Sequence, residues 1–160
     1  MTNKKLFVKK IFKAGCFITL LFSHSKGAAQ VYGQNGMVVS SNKLASQVGI
    51  EVLKKGGNAI DASIATAFAL AVTHPEAGNI GGGGFLVFMN SAGEATTIDF
   101  REKAPLAATA NMFLDNTVAG LYMAHQKYGK LPWQKLVQPS DDLAKKGFIM
   151  TWAFIKKHLK

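Results

Sequence analysis

Residues 59–72 read AIDASIATAFALAV, a run of 14 residues in which only Asp61, Ser63 and Thr66 are polar. A helix with apolar residues on every face is buried on all sides, and this run is much shorter than the roughly 20 residues that a bilayer span needs. The run therefore predicts a central core helix. Asp61 falls in the first turn, where a carboxylate interacts favourably with the helix dipole; this structural role is favoured over a catalytic one.

An amphipathic helix is predicted immediately before the core helix. From Lys43 onward, apolar residues recur at helical spacing, at Leu44, Val48, Val52 and Leu53. We expect this helix to end at Gly56-Gly57, because two consecutive glycines disfavour helix continuation. Asn58 is then expected to cap the core helix.

A β-hairpin is predicted after the core helix. Phe85–Met89 reads FLVFM, a nearly continuous apolar run that indicates a buried strand, and Ala95–Arg101 is the returning strand. Asn90–Gly93 supplies turn residues between the two strands. Helices that cover a sheet hairpin indicate a layered fold of the α+β class.

Shorter helical segments are predicted in the second half of the chain. Val118–Tyr128 is amphipathic and is followed by Gly129, which is typical of a helix end. Pro132-Trp133 begins another segment. Ser140–Lys146 is expected to form a further short helix that ends before Gly147.

The formal net charge of +10 is concentrated towards the ends of the chain. Six of the 19 basic residues lie in the first 29 positions, where there is no acidic residue. The central part of the chain is close to neutral. This distribution argues against a nucleic-acid-binding surface.

Residues 1–29 have the organisation of a cleaved signal peptide. Basic residues extend to Lys13, an apolar run occupies 14–22, and Gly27 and Ala29 stand at the small positions of a cleavage site. We therefore expect export to the periplasm or the exterior and no stable membrane span; a retained interfacial anchor is the alternative. Cleavage would remove Cys16, the only cysteine, so the mature chain would contain neither a disulfide nor a thiol nucleophile.

Four consecutive glycines, Gly81–Gly84, precede the first predicted strand. A phosphate-binding loop would lead into a helix and carry a lysine behind the glycines, whereas this run leads into the apolar strand that begins at Phe85. Glycines allow another chain segment or a ligand to approach the backbone closely. Close packing is the favoured interpretation, and a role as the wall of a ligand site stays open.

The sequence offers few candidates for chemistry. His74 has no second histidine near it, and no metal site, cofactor or convincing nucleophile is predicted from the residues themselves. Arg101 is the main candidate, with Asp99 two residues before it and Glu102 beside it. Such an arginine either forms a surface salt bridge or binds a carboxylate through its planar fork of donors. The residues alone leave both roles open.

Three blocks of the sequence resemble the gamma-glutamyltranspeptidases, also called glutathione hydrolases. Residues 47–62 (QVGIEVLKKGGNAIDA) are similar to the opening of that family, 71–85 (AVTHPEAGNIGGGGF) to its most recognisable block, and 98–105 (IDFREKAP) to its substrate-arginine block. The blocks occur in the family's order within a match that runs from about Met37 to Ile149, which makes the resemblance specific.

The resemblance implies an N-terminal nucleophile hydrolase with an αββα sandwich, made as a precursor that cuts itself into a large and a small subunit. The threonine that begins the small subunit attacks the gamma-glutamyl amide of glutathione with its own α-amine as base. The glutamyl group then passes to water or to an amino acid. Arg101 matches the arginine that holds the α-carboxylate of the glutamyl group, and Asp99 and Glu102 would orient its guanidinium.

The sequence also departs from the family pattern. Residues 30–160 would be an incomplete large-subunit segment without the catalytic threonine, so the chain alone is expected to be inactive and to lack its small-subunit half. Asp115-Asn116 joins directly to Thr117, where the family has a glycine-rich segment, which indicates an internal deletion. The similarity is expected to end at Ile149. The alternative function is that of a non-catalytic exported remnant whose apolar face binds another protein.

Overall fold

The computed structural model describes residues 32–102 and 116–150, together with 152, 155 and 156. The predicted signal peptide, Cys16 and the residues on the amino side of the deletion junction lie outside this part. The chain divides into two compact units, Met1–Gly33 and Gln34–Lys160, and the second contains all of the helices and strands that the structure describes. These are α1 (Lys43–Lys54), α2 (Ala59–Thr73), β1 (Phe85–Met89), β2 (Ala95–Asp99), α3 (Thr117–Tyr128) and α4 (Trp133–Lys146). No helix in the described part is long and apolar enough to cross a membrane.

Helix α2 lies at the centre of the described structure, as its sequence predicts. Nine of its 15 residues are buried. Helix α1 packs along α2, and the Asn42 side chain caps its start by accepting a hydrogen bond from the Leu44 N–H. Helix α4 packs on α2 as well, where the Trp133 ring meets the Phe68 ring edge-on at 5.5 Å between centroids.

One face of α2 is open in the described structure, so the prediction of burial on all sides is wrong for that face. Ser63 is exposed, and Ala67 and Leu70 are only partly buried. These three residues line a cavity of about 390 Å³ beside the hairpin. They also line a larger one of about 870 Å³ beside the segment 35–40.

Asn58 and Asp61 connect the start of α2 to the link between α3 and α4. They form a reciprocal capping box, in which the Asn58 side chain accepts from the Asp61 N–H and the Asp61 carboxylate accepts from the Asn58 N–H. The Asp61 carboxylate also accepts hydrogen bonds from the N–H groups of Lys130, at 3.1 Å, and Leu131, at 3.1 Å. The Asn58 amide donates to the Tyr128 carbonyl at 2.6 Å. The structural role predicted for Asp61 is therefore confirmed, and it extends to residues that are distant in sequence.

The hairpin forms as predicted, but only one of its faces is buried. Strands β1 and β2 pair antiparallel, with Phe85 opposite Asp99 and Met89 opposite Ala95. Ile98 is 6% exposed and joins the core cluster, whereas Val87 on the other face is 76% exposed. The prediction that β1 is a buried strand is therefore wrong, because its alternate residues Phe85, Val87 and Met89 are exposed in the described structure.

Residues 116–150 form two helices of normal length. Helix α3 ends at Tyr128, before Gly129, as predicted. The two short segments expected after Pro132 are a single helix, α4, which continues through Pro139. Leu136 in this helix is fully buried in the core cluster. Packing of this kind offsets the cost of the missing proline N–H. Together, the four helices and the antiparallel hairpin within the described residues confirm the α+β class.

Replacement of Asp61 by alanine should destabilise the fold strongly. The change would remove the buried Asp61 carboxylate and leave the N–H groups of Lys130 and Leu131 without their acceptor, and we expect a loss of about 2–4 kcal/mol in the free energy of unfolding. The measurement is urea denaturation followed by tryptophan fluorescence. Ser63→Ala on the exposed face of the same helix is the control and should change the value by less than about 0.5 kcal/mol. Equal effects of the two variants would contradict the role given to Asp61.

The two faces of the hairpin should differ in the same measurement. Ile98→Ala should cost about 2–4 kcal/mol, because it removes buried methyl groups and leaves a cavity. Val87→Ala on the opposite face should cost less than about 0.5 kcal/mol, because this side chain is already in water. A large loss for Val87→Ala would indicate that this face is covered in solution.

Candidate functional site

The glycine run packs against the backbone that carries Arg101. The Phe100 N–H donates to the Gly84 carbonyl at 3.0 Å, which continues the pairing of the hairpin beyond β2. A Cβ at position 83 would lie 2.7 Å from the Cα of Arg101, so only glycine fits there without a shift of the backbone. This geometry favours close packing. Gly83 and Gly84 also line the cavity of about 390 Å³, so the role as the wall of a ligand site stays open.

The Arg101 side chain forms a two-point contact with Asp99. Nε donates to one carboxylate oxygen at 3.3 Å and Nη2 to the other at 3.2 Å. The Arg101 N–H also donates to the Asp99 carboxylate at 3.1 Å. Asp99 therefore binds the Arg101 backbone N–H and also the edge of the guanidinium formed by Nε and Nη2. The arginine side chain is nevertheless 63% exposed and accessible to a ligand.

An aromatic ring supports the same guanidinium from a second side. The Cζ atom of Arg101 lies 4.9 Å from the centroid of the Phe85 ring, within the range of a cation–π contact. Register explains the contact, because Phe85 is directly opposite Asp99 in the hairpin. The sequence did not reveal Phe85 as part of the site. Assignment of the register from the turn is the signal that could have found it.

Negative charge around Arg101 stabilises its cationic form. The hydrogen bond that Arg101 donates to Asp99 raises the pKa of the guanidinium, the negative charge of Asp99 adds to this, and the charge of Glu102 contributes less. Arg101 is the only arginine among the 160 residues, so it is also the only guanidinium that the sequence offers to a carboxylate. The structure thus brings Arg101 and Asp99 into direct contact, whereas Glu102 acts on the guanidinium through its charge.

A small cavity of about 280 Å³ lies beside Arg101. Its wall includes Asp99 and Arg101 from the hairpin side and residues at the start of α3, namely Asn116, Ala119, Gly120 and Met123. The lining combines polar side chains with the apolar groups of Phe100, Ala119 and Met123, a mixture typical of sites for small organic ligands.

No group of three metal-ligating side chains was found in the part of the chain that the structure describes. His74 Nδ1 lies 3.4 Å from a carboxylate oxygen of Glu76, in the loop that follows α2.

Comparison with known proteins identifies the family. The family model described as gamma-glutamyltranspeptidase matches residues 45–158. The chain belongs to the gamma-glutamyltranspeptidase family. The match to 158 also corrects the expectation that the similarity ends at Ile149.

Curated relatives and a solved structure agree with this assignment. A glutathione hydrolase proenzyme from a Pseudomonas species is 45% identical, with 92% of this chain and 29% of that protein covered. The Escherichia coli glutathione hydrolase proenzyme is 47% identical, with 75% and 24% covered. The crystal structure of Helicobacter pylori gamma-glutamyltranspeptidase superimposes with a TM-score of 0.74 at 40% identity, covering 80% of this chain and 42% of that one. The chain thus spans less than a third of the length of these two curated relatives.

The alignment to the Pseudomonas relative contains residues that this sequence lacks. It spans 168 residues, which is more than the 160 residues of this sequence. The deletion expected before Thr117 stays a prediction.

The contact with Asp99 should restrict the motion of the Arg101 side chain. Asp99→Asn should lower the ¹⁵N–¹H heteronuclear nuclear Overhauser effect at Nε, because the amide lacks the charge that holds the guanidinium. The single arginine gives one Nε signal, so the measurement needs no assignment of competing arginines. Asp141→Asn, which removes a similar exposed pair with Lys145, is the control and should leave the signal unchanged. An unchanged signal in Asp99→Asn would show that Asp99 does not orient the guanidinium.

Proposed function

We propose that this chain is part of the large subunit of a gamma-glutamyltranspeptidase, in which Arg101 binds the α-carboxylate of a gamma-glutamyl group. The observation that carries the proposal is the geometry of the guanidinium. Asp99 occupies its side-on edge, through Nε and one Nη2 hydrogen. The Nη1 group and the second Nη2 hydrogen lie outside the contacts with Asp99. They form the parallel pair of donors that a carboxylate accepts end-on.

In this proposal Arg101 binds and orients the substrate and takes no part in bond making. The attacking group is the threonine of the family's small subunit, which lies outside this sequence. Its hydroxyl forms an ester with the γ-carbonyl carbon, the amide bond breaks, and the leaving amine takes a proton. Water or an amino acid then accepts the glutamyl group. A carboxylate held at Arg101 would fix the distance between the γ-carbonyl and the threonine.

The complete enzyme in this proposal has the αββα sandwich of N-terminal nucleophile hydrolases. The hairpin supplies two strands, and its exposed apolar face supports the idea that further layers cover it. Those layers would come from polypeptide outside this sequence, which includes the small-subunit half. Export through the signal peptide at 1–29 belongs to the same proposal.

A non-catalytic exported protein that binds a partner is the second candidate. The apolar side chains of Phe85, Val87 and Met89, which are 62%, 76% and 68% exposed, support it. The two candidates differ in their need for a carboxylate site. Only the first requires that Arg101 discriminate between ligands with and without an α-carboxylate.

The test compares glutathione with an analogue that lacks the α-carboxylate, in which 4-aminobutyrate replaces the glutamyl group. We expect the full chain to bind glutathione weakly and the analogue at least about tenfold more weakly, as loss of a charge-assisted hydrogen-bond pair predicts. Arg101→Ala should remove the difference between the two ligands. Arg101→Lys should retain part of it, because an ammonium lacks the planar fork. Binding is measured by isothermal titration calorimetry.

Lys54→Ala is the matched control for the loss of an exposed cation, because Lys54 pairs with Glu51 away from the site. This variant should bind both ligands as the unsubstituted chain does. Equal affinity for the two ligands in the unsubstituted chain would reject the carboxylate role and favour the partner-binding candidate. Hydrolysis of glutathione by the chain alone would contradict the assignment of the nucleophile to another segment.

A further inference from the structure

Asn116 connects the start of α3 to the residues around Arg101. Its side-chain amide donates to the carbonyl oxygen of Arg101 at 2.8 Å. Its backbone N–H donates to the Gly82 carbonyl at 2.8 Å, and the next N–H, of Thr117, donates to the same oxygen at 2.9 Å. One residue thus binds both the glycine run and the strand extension that carries the guanidinium.

The position of Asn116 in the sequence makes this contact notable. It is the residue through which the chain enters the Thr117–Gly120 block, where the resemblance to the family implies a deletion. The hydrogen bonds of Asn116 place this entry directly against Gly82 and Arg101.

Further contacts hold the backbone on both sides of Arg101. On the amino side, Phe100 pairs with Gly84, and the Arg101 N–H donates to Asp99. The Phe100 side chain packs against Gly120 of α3, where a Cβ would overlap its ring. On the carbonyl side, Gly83 packs against the Glu102 backbone nitrogen, and the Asn116 amide donates to the Arg101 carbonyl. Loss of this hydrogen bond would release the Arg101 carbonyl.

We propose that Asn116 is a positioning residue for Arg101: its side-chain amide fixes the Arg101 carbonyl and thereby the direction of the guanidinium. The inference rests on the proposed role of Arg101 in binding a carboxylate. An exposed arginine has several rotatable bonds, so its ability to bind a carboxylate depends on a fixed backbone position and on fixed side-chain partners. Asp99 and Phe85 hold the tip of the side chain, and Asn116 holds its base.

The test uses Asn116→Ala, which removes the amide donor, and Thr117→Val as the matched control. Thr117 donates its hydroxyl to the Asn79 side chain at 2.7 Å, so the control also removes one hydrogen bond at the start of α3. It leaves the bond to Arg101 intact. Two properties are measured in the full chain: the heteronuclear Overhauser effect at the single arginine Nε, and the dissociation constant for glutathione.

Asn116→Ala should lower the Overhauser effect at Arg101 Nε and weaken glutathione binding by about 3- to 10-fold, the usual range for one hydrogen bond. Thr117→Val should change neither. Equal changes in the two variants would mean that any loosening of α3 disturbs the site, and would overturn the specific role of Asn116. No change in Asn116→Ala would overturn it as well.

The two proposals can fail separately. If the unsubstituted chain does not bind glutathione while Asn116→Ala still lowers the Overhauser effect, the carboxylate role fails and the positioning role stands. If Asn116→Ala does not fold, the unsubstituted chain decides the question through the scalar coupling across the hydrogen bond from Asn116 Nδ2 to the Arg101 carbonyl carbon. Absence of that coupling would overturn the contact, and its presence would support it.

Discussion

The buried carboxylate of Asp61 ties together parts of the chain that are about seventy residues apart. A buried charge is costly unless polar groups surround it, and here the partners are backbone N–H groups at the start of α2 and in the link between α3 and α4. These donors sit in irregular backbone, where Asp61 and the hydrogen bond from Asn58 to the Tyr128 carbonyl hold the link against the start of α2. The two interactions together anchor the link between α3 and α4 to the central helix.

The position of Arg101 depends on this packing of helices. Phe100 reaches the core cluster from the end of the hairpin and packs on Gly120 of α3. Ile98, two residues earlier, is buried in the same cluster. The core thus fixes every second residue of this strand, and the alternate residues, Asp99 and Arg101, point to the open side. The exposed Arg101 side chain is in this way supported by the buried side chain of Ile98 and by the packing of Phe100.

Local patterns were sufficient for most of the elements. The apolar run of α2, the capping residue Asn58 and the turn residues of the hairpin each have a short-range physical cause, and each was predicted from sequence. The exposure of one face of β1 was not predicted from sequence, because the run FLVFM has the same composition whether one or both faces of the strand are covered. The continuity of α4 through Pro139 was missed since it depends on tertiary packing around Leu136. The contacts of Phe85 and Asn116 with Arg101 also join separate segments, so no local pattern indicated them.

The packing of Gly83 against the Arg101 backbone restricts which mutations residue 83 can accept during evolution. Replacement of Gly83 by any other residue would place a Cβ 2.7 Å from the Arg101 Cα, which is too close for two carbon atoms. Such a mutation would displace the Arg101 backbone although residue 83 itself has no side chain. In homologues that keep the arginine, selection on the arginine would therefore also act on this glycine.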